Sequence, residues 1–148
     1  LMIMVAASVL FTRMLALEQV PQMVTEGMLS LSSNPLVLLL IANIVVLFIG
    51  LFLETTSAIL ILTPLIAPAL VAAGVDPTHL GVVIVYNLMI GLITPPMGMS
   101  LFMVSTVARE PVVNVLREIL PYYIPLLIIL VLLTYVPQLS LWLPNLLG

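Results

Sequence analysis

Leu36 to Leu53 reads LVLLLIANIVVLFIGLFL, a run with no charged residue and with Asn43 as its one strongly polar side chain. Such a run can be buried inside a protein core or inside a lipid bilayer. Composition decides between the two. Of the 148 residues, 64% are hydrophobic and 6% charged, whereas a soluble domain carries about 25% charged residues. So few charges cannot cover a surface that faces water. The chain is expected to be an all-α polytopic membrane protein, because lipid offers backbone groups no partners and a helix pairs its own. Arg13, Arg109 and Arg117 are the only Lys or Arg residues. No basic patch can form, which argues against nucleic acid as a partner. The absence of Cys excludes disulfides and Cys-ligated zinc or Fe–S centres.

The rest of the chain divides around that run. LMIMVAASVLFTRML at the start has no basic leader and no small-residue cleavage site, so it does not read as a signal peptide. It is expected to be the end of a span begun upstream, and the chain the C-terminal portion of a longer protein. Within Glu18 to Ser33, residues Val20, Met23, Val24, Met28, Leu29 and Leu31 fall on helical spacing. They predict a short amphipathic helix at the membrane interface. Residues 1–35 thus form the end of a transmembrane helix plus an interfacial connector. Pro35 suits the first turn of a new helix, and Leu36 to Leu53 approaches the roughly 20 residues that a span needs.

After ETTS (Glu54 to Ser57) the apolar sequence resumes as AILILTPLIAPALVAA and ends near Gly74 and Asp76-Pro77. Thr63-Pro64 and Pro68 are expected to weaken this helix. Thr78 to Ile93 is predicted helical, with Thr78 as N-cap and His79 at the interface. TPPMG follows, then a second apolar piece, Met99 to Ala108. Residues 36–110 hold these features. Residues 111–148 form a connector, a last span over Leu120 to Val136, and a C-terminal tail in which Trp142, like Tyr135, is an interface anchor.

Two interruptions carry the chemistry. The first is GLITPPMGMSLF, in which Pro95 and Pro96 stand between Gly91 and Gly98, with Thr94 and Ser100 nearby. Proline has no N–H and its ring clashes with the preceding turn. In hydrocarbon each freed backbone group costs several kcal/mol unless something binds it. Unwound backbone at that depth lines protein or a watery cavity, where free carbonyls can take a cation and a new helix N-terminus can face an anion. The same sequence is also compatible with a kink, or with a loop between two short spans. The second interruption is ETTS. Glu54 is an acid between two apolar stretches, a functional site by default if it lies in the membrane. Thr55, Thr56 and Ser57 offer hydroxyl oxygens of the kind that hard cations such as Na⁺ prefer. A polar turn outside the membrane is the other reading. Asn87 can reach the unwound backbone or serve a helix–helix contact, and Asn43 reads as a contact residue.

An enzyme is not supported. Ser57, Ser100 and Ser105 have no intramembrane His partner, Asp76 is the sole Asp, and one His without HExxH makes no zinc site. A channel or scaffold subunit would also use broken helices, but more often with rings of charge or a filter-like run of carbonyls.

LFLETTSAILILTPLIAPALVAAGVDPTHLGVVIVYNLMIGLITPPMGMSLFMVS closely resembles the C-terminal half of the large membrane subunit of tripartite ATP-independent periplasmic (TRAP) transporters. An acid-Thr-Thr turn is followed at a set distance by Gly-Leu-x-Thr-Pro-Pro-x-Gly, and the likeness extends into LPYYIPLLIILVLLTYVPQLSLWLP. The resemblance implies an inverted-repeat transporter, each half with a re-entrant hairpin and a discontinuous transmembrane helix. The hairpin tip would be Glu54 to Ser57 and the unwinding Thr94 to Gly98. Na⁺ and substrate would bind where these meet, with Glu54, Thr55, Thr56, Ser57, Asn87, Gly91, Thr94, Pro95, Pro96, Gly98 and Ser100 at the site. Thr55, Thr56 and Thr94 would be Na⁺ ligands. It further implies Na⁺ as coupling ion without another cofactor, elevator-type import of organic acids such as C4-dicarboxylates or sialic acid, and a bacterial inner membrane. A small membrane subunit and a periplasmic substrate-binding protein would be partners. Two positions depart from the family pattern: Glu54 stands where Asp is commoner, and Met99-Ser100 where Leu-Asn is frequent.

If the hairpin enters and leaves on one side, Glu18 to Pro35, Val75 to Pro77 and the C-terminus share that side. Arg109 and Arg117 then lie opposite, and the positive-inside rule makes theirs the cytoplasmic side.

Overall fold

The computed structural model describes residues 2–32, 34–53, 55–95 and 98–147. Among them the regular elements are eight helices: α1 (Met2–Leu17), α2 (Val20–Leu31), α3 (Pro35–Gly50), α4 (Thr55–Ala72), α5 (Pro77–Ile93), α6 (Met99–Ala108), α7 (Val112–Tyr135) and α8 (Pro137–Leu147).

Asn34 starts α3: its side chain accepts from the Leu36 N–H at 3.0 Å, and Pro35 supplies the first helical residue. After Gly50 the chain turns, with the N–H groups of Phe52 and Leu53 both bonded to the Ile49 carbonyl at 3.0 Å. It returns as α4, which packs on α3 as the second arm of a helical hairpin. Ala58, Leu62, Ile66 and Leu70 of α4 recur every fourth residue, as do Leu80, Ile84 and Leu88 of α5. That spacing puts each set on one face of its helix. With Leu38, Leu39, Ala42 and Val46 of α3 they form the core. In lipid this core is held by van der Waals packing more than by exclusion of water.

Pro64 and Pro68, expected to weaken this helix, lie inside a continuous α4. They lie two residues off the core stripe, and α1, α2, α3 and α5 all pack along this helix. Packed neighbours can hold a proline-containing helix in shape within a membrane. The amphipathic segment forms α2, which lies against α4 and has no fully buried residue.

At the start of α5 the cap is Asp76, not Thr78. Its Oδ1 accepts from the N–H groups of Thr78 at 2.8 Å and His79 at 3.2 Å. Pro77 takes the first helical position, so the preceding residue becomes the cap, where a carboxylate also suits the helix dipole. His79, in the first turn of α5, is 2% exposed, and its Nδ1 lies 2.9 Å from the Ser140 hydroxyl of α8.

The last long helix is also more extensive than expected. Pro111 stands at its N-cap, and α7 runs without interruption through Pro121 and Pro125 for 24 residues. At 1.5 Å per residue that is about 36 Å, against about 30 Å of hydrocarbon in a bilayer. By length and composition α4 and α7 can cross a membrane, while α3 and α5 are shorter apolar helices. The phenol of Tyr86 in α5 donates to the Leu126 carbonyl of α7 at 3.3 Å, and that of Tyr123 in α7 to the Ile93 carbonyl of α5 at 2.5 Å. These pairs run in opposite order along the two helices, so α7 is antiparallel to α5. It packs against α6 as well.

Candidate functional site

The ends of α3 and α5 meet through backbone. A Cβ placed on Gly91 would lie 2.7 Å from both the carbonyl carbon and oxygen of Gly50 and 3.1 Å from its Cα. Real side chains do not approach so closely, so only glycine fits at Gly91. The end of α3, where the hairpin turns, therefore rests directly on the last turn of α5. Four residues before Gly91, Asn87 donates to the Asn43 carbonyl at 2.8 Å and to Asn43 Oδ1 at 3.1 Å. The two contacts, Asn43 with Asn87 and Gly50 with Gly91, advance together, so α3 and α5 run parallel. Their C-terminal ends reach the same level.

At that level α5 stops at Ile93, and α6 begins at Met99. Pro95 and Pro96 have no N–H, so the carbonyls of Gly91 and Leu92 lose the donors that a continuing helix would supply. Thr94 makes up part of the loss. Its backbone N–H bonds to the Gly91 carbonyl at 3.0 Å, and its hydroxyl donates to the Ile90 carbonyl at 2.6 Å. Tyr123 takes the Ile93 carbonyl. For Leu92 neither the third nor the fourth residue onward can donate, since both are prolines. On the far side of the break, Gly98 starts α6 with no side-chain cap. A Cβ on Gly98 would come within 3.1 Å of the Thr94 carbonyl oxygen, so the chain folds tightly back on itself here.

On the hairpin side Thr55 opens α4, and its hydroxyl is buried without a hydrogen-bond partner. Thr56 and Ser57 lie in the same turn and do make polar contacts. Ser100 is half-buried in the first turn of α6, and Pro95 is exposed. Glu54 and Pro96, both expected at the site, lie outside the described residues. Asn87 is fully buried, but its amide N–H bonds go to α3 and not to the break; its Oδ1 lacks a partner. No group of three or more His, Cys, Asp or Glu gathers among the described residues. Hydroxyls and main-chain carbonyls, the oxygens present at the two helix ends, are of a kind that suits a hard monovalent cation better than a transition metal.

Three contact residues were not foreseen. Tyr123 caps a carbonyl at the break. Thr134 of α7 accepts from the Asn43 amide at 2.7 Å. Gly50 provides the surface on which Gly91 rests. For Tyr123 a signal existed, since a phenol in mid-span must find a partner. The adjacent Tyr122 is exposed, and the sequence alone does not choose between them.

The architecture is that of a helical membrane protein in which the C-terminal ends of α3 and α5 touch through Gly50 and Gly91. Comparison with known proteins supplies the family. The family model described as tripartite ATP-independent periplasmic transporter, DctM component, matches residues 1–139. The chain belongs to this family, whose members are transporter permeases and not enzymes. It is 45% identical over 144 residues to the sialic acid TRAP transporter large permease protein SiaM of Vibrio cholerae, covering 97% of this chain and 34% of that protein. It is 43% identical over 148 residues to the C4-dicarboxylate TRAP transporter large permease protein DctM of Pseudomonas aeruginosa, covering 100% of this chain and 35% of that protein. With the isethionate TRAP transporter permease protein DctMQ of Oleidesulfovibrio alaskensis the identity is 36% over 140 residues, 95% of this chain and 22% of that protein. The chain thus spans about a third, or less, of the length of these relatives.

Proposed function

We propose that these residues are half of the ion and substrate site of a Na⁺-coupled importer of small organic acids, the large permease of a TRAP transporter. The observation that carries the reading is the contact of Gly50 with Gly91 at the level of Tyr123. Tyr123 stands midway along α7. If α7 spans the bilayer, that level lies about 17 Å from either of its ends, close to the bilayer centre. This supports a re-entrant hairpin, α3 with α4, whose tip stops at mid-depth. It also supports α5 and α6 as two halves of one discontinuous span, since uninterrupted α7 packs against both.

At this depth polar groups need partners. The Thr55 hydroxyl and the Leu92 carbonyl are oxygens that Na⁺ can take. Thr94 donates its proton to Ile90 but keeps lone pairs on its oxygen, and Thr56 completes the proposed set. The uncapped start of α6 is suited to a carboxylate, and Na⁺ beside it offsets the substrate's charge. The named relatives transport sialic acid, C4-dicarboxylates or isethionate, all of them organic anions. In this reading residues 36–110 belong to a transport domain that moves elevator-fashion. The protein is multi-pass in the bacterial inner membrane, with Arg109 and Arg117 cytoplasmic. A small membrane subunit and a periplasmic binding protein complete the machine.

The test uses Thr55→Cys in the full transporter. Labelling by a membrane-impermeant thiol reagent should be slow, and Na⁺ should change its rate, alongside uptake that requires a Na⁺ gradient. Fast labelling indifferent to Na⁺ would place the tip in an external turn and contradict the reading.

A further inference from the structure

Because α5 stops at Ile93, the carbonyls of its last turn have no continuing helix to supply their donors, yet the structure does not leave them all open. Thr94 closes two of them from within the chain. The third closure comes from another helix: the Tyr123 phenol donates to the Ile93 carbonyl at 2.5 Å, across 30 residues of sequence. The ring is half-buried between α7 and the end of α5. One residue before the capped carbonyl is that of Leu92, which has no donor at the third or fourth following residue. One residue after it is Thr94. Tyr123 therefore holds the peptide that lies between two proposed cation ligands.

We infer that Tyr123 is a positioning residue for the cation site. By anchoring the Ile93 carbonyl to α7, it fixes the orientation of the Leu92 carbonyl and the Thr94 oxygen, and so sets Na⁺ affinity and the preference for Na⁺ over Li⁺. This rests on the reading of the break as a Na⁺ site. A small cation gains from ligands held at a fixed radius before it arrives, because orientation then costs nothing on binding. Without the phenol, the Ile93 peptide is free to turn and the last helical turn frays. The ligands on either side then adapt to an ion of either size.

The protein offers its own control. Tyr86 makes a phenol–carbonyl bond between the same two helices, to Leu126 at 3.3 Å, two turns before the break. A purely structural account of Tyr123 predicts that losing either hydroxyl does the same thing: it loosens α5 from α7.

The experiment compares Tyr123→Phe and Tyr86→Phe in the full transporter, reconstituted with its partners, against Na⁺ and Li⁺. Each variant keeps its ring. Tyr123→Phe should raise half-saturating Na⁺ about fivefold, equivalent to about 1 kcal/mol, the net worth of one hydrogen bond. Half-saturation by Li⁺ should move less, so that the ratio between the ions shrinks. Tyr86→Phe should leave both values unchanged. Thermal stabilisation of the detergent-solubilised protein by each ion gives the same comparison without transport. If Tyr123→Phe does not accumulate, Tyr123→Met also removes the donor and is read in the same way. Unchanged Na⁺ and Li⁺ midpoints in a donor-free variant, or equal shifts in the Tyr86 and Tyr123 variants, would overturn the inference. A wild-type protein with no Na⁺ dependence would sink the proposed function itself, a result distinct from either of these.

Discussion

Two levels of the α3, α5 and α7 bundle, one helical turn apart along α5, treat polar groups in opposite ways. At the level of Asn87, side chains satisfy one another across helices. Asn87 bonds to Asn43, Asn43 to Thr134, and Thr134 back to the Leu130 carbonyl at 2.7 Å. One acceptor, Asn87 Oδ1, is left over. At the level of Gly91 the polar groups are mostly backbone, and they are exposed by cutting the helix. There α3 and α5 touch with no side chain between them, and the Leu92 carbonyl has lost its helical donors. The first level is a clasp that fixes the relative height of three helices. The second is where, in the proposed reading, oxygens remain for a ligand. In that reading the clasp holds the two halves of the cation site in register, as hydrogen bonds between side chains in a membrane can do.

The comparison is most easily broken at Gly91. Gly91→Val would force side-chain atoms into the Gly50 carbonyl and drive the hairpin tip off α5. We expect uptake to be abolished and thermal stability of the solubilised protein to fall by at least the roughly 1–3 kcal/mol of an ordinary overpacking, since the obstacle is backbone. Gly81 lies in the same helix, and a Cβ there would meet nothing within 4 Å. Gly81→Ala should be neutral or stabilise by up to about 1 kcal/mol. Equal tolerance at both glycines would mean that the ends of α3 and α5 do not touch.

A smaller effect is expected at the clasp. Asn87→Leu removes the donor to Asn43 and should cost about 1–3 kcal/mol of stability. Half-saturating Na⁺ in the surviving transport should stay within about twofold, because the lost bonds join helices and not ligands. The check is a Na⁺ titration of uptake beside a melting curve. A large shift in the Na⁺ midpoint would instead assign Asn87 to the ion site through its spare oxygen.

Much of this arrangement could be read from sequence, for identifiable reasons. Uncharged runs bounded by Asn34-Pro35 and Asp76-Pro77 give helix starts, because proline and a capping side chain act locally. Adjacent prolines mark the break for the same reason. ETTS was expected to be the hairpin tip, but the described turn lies just before it at Leu51 to Leu53, and Thr55 to Ser57 already form the first turn of α4. What the sequence did not reveal was rotation about helix axes. A helix that is apolar all round carries no contrast between its faces, so nothing in α3 announces that Gly50 faces α5. Likewise, nothing in α7 announces that Thr134 faces Asn43. The choice of Asp76 over Thr78 as cap, and the burial of His79, depended on Pro77 and on α8 folding back. These are one local and one long-range effect that a scan of apolar runs passes over.

The central claim is that the break after Ile93 exists to leave backbone oxygens for a coupling ion. Pro95→Ala/Pro96→Ala tests it most directly. Each Ala supplies the missing N–H and favours helix by about 3 kcal/mol relative to proline in a helix interior. The carbonyls of Gly91 and Leu92 would then be taken up by helical hydrogen bonds. The measurement is Na⁺-driven uptake in reconstituted vesicles, with membrane insertion scored separately. The account predicts a well-inserted protein that has lost coupled transport. Near-normal Na⁺-driven uptake by a well-inserted double variant would show the break to be a kink and nothing more.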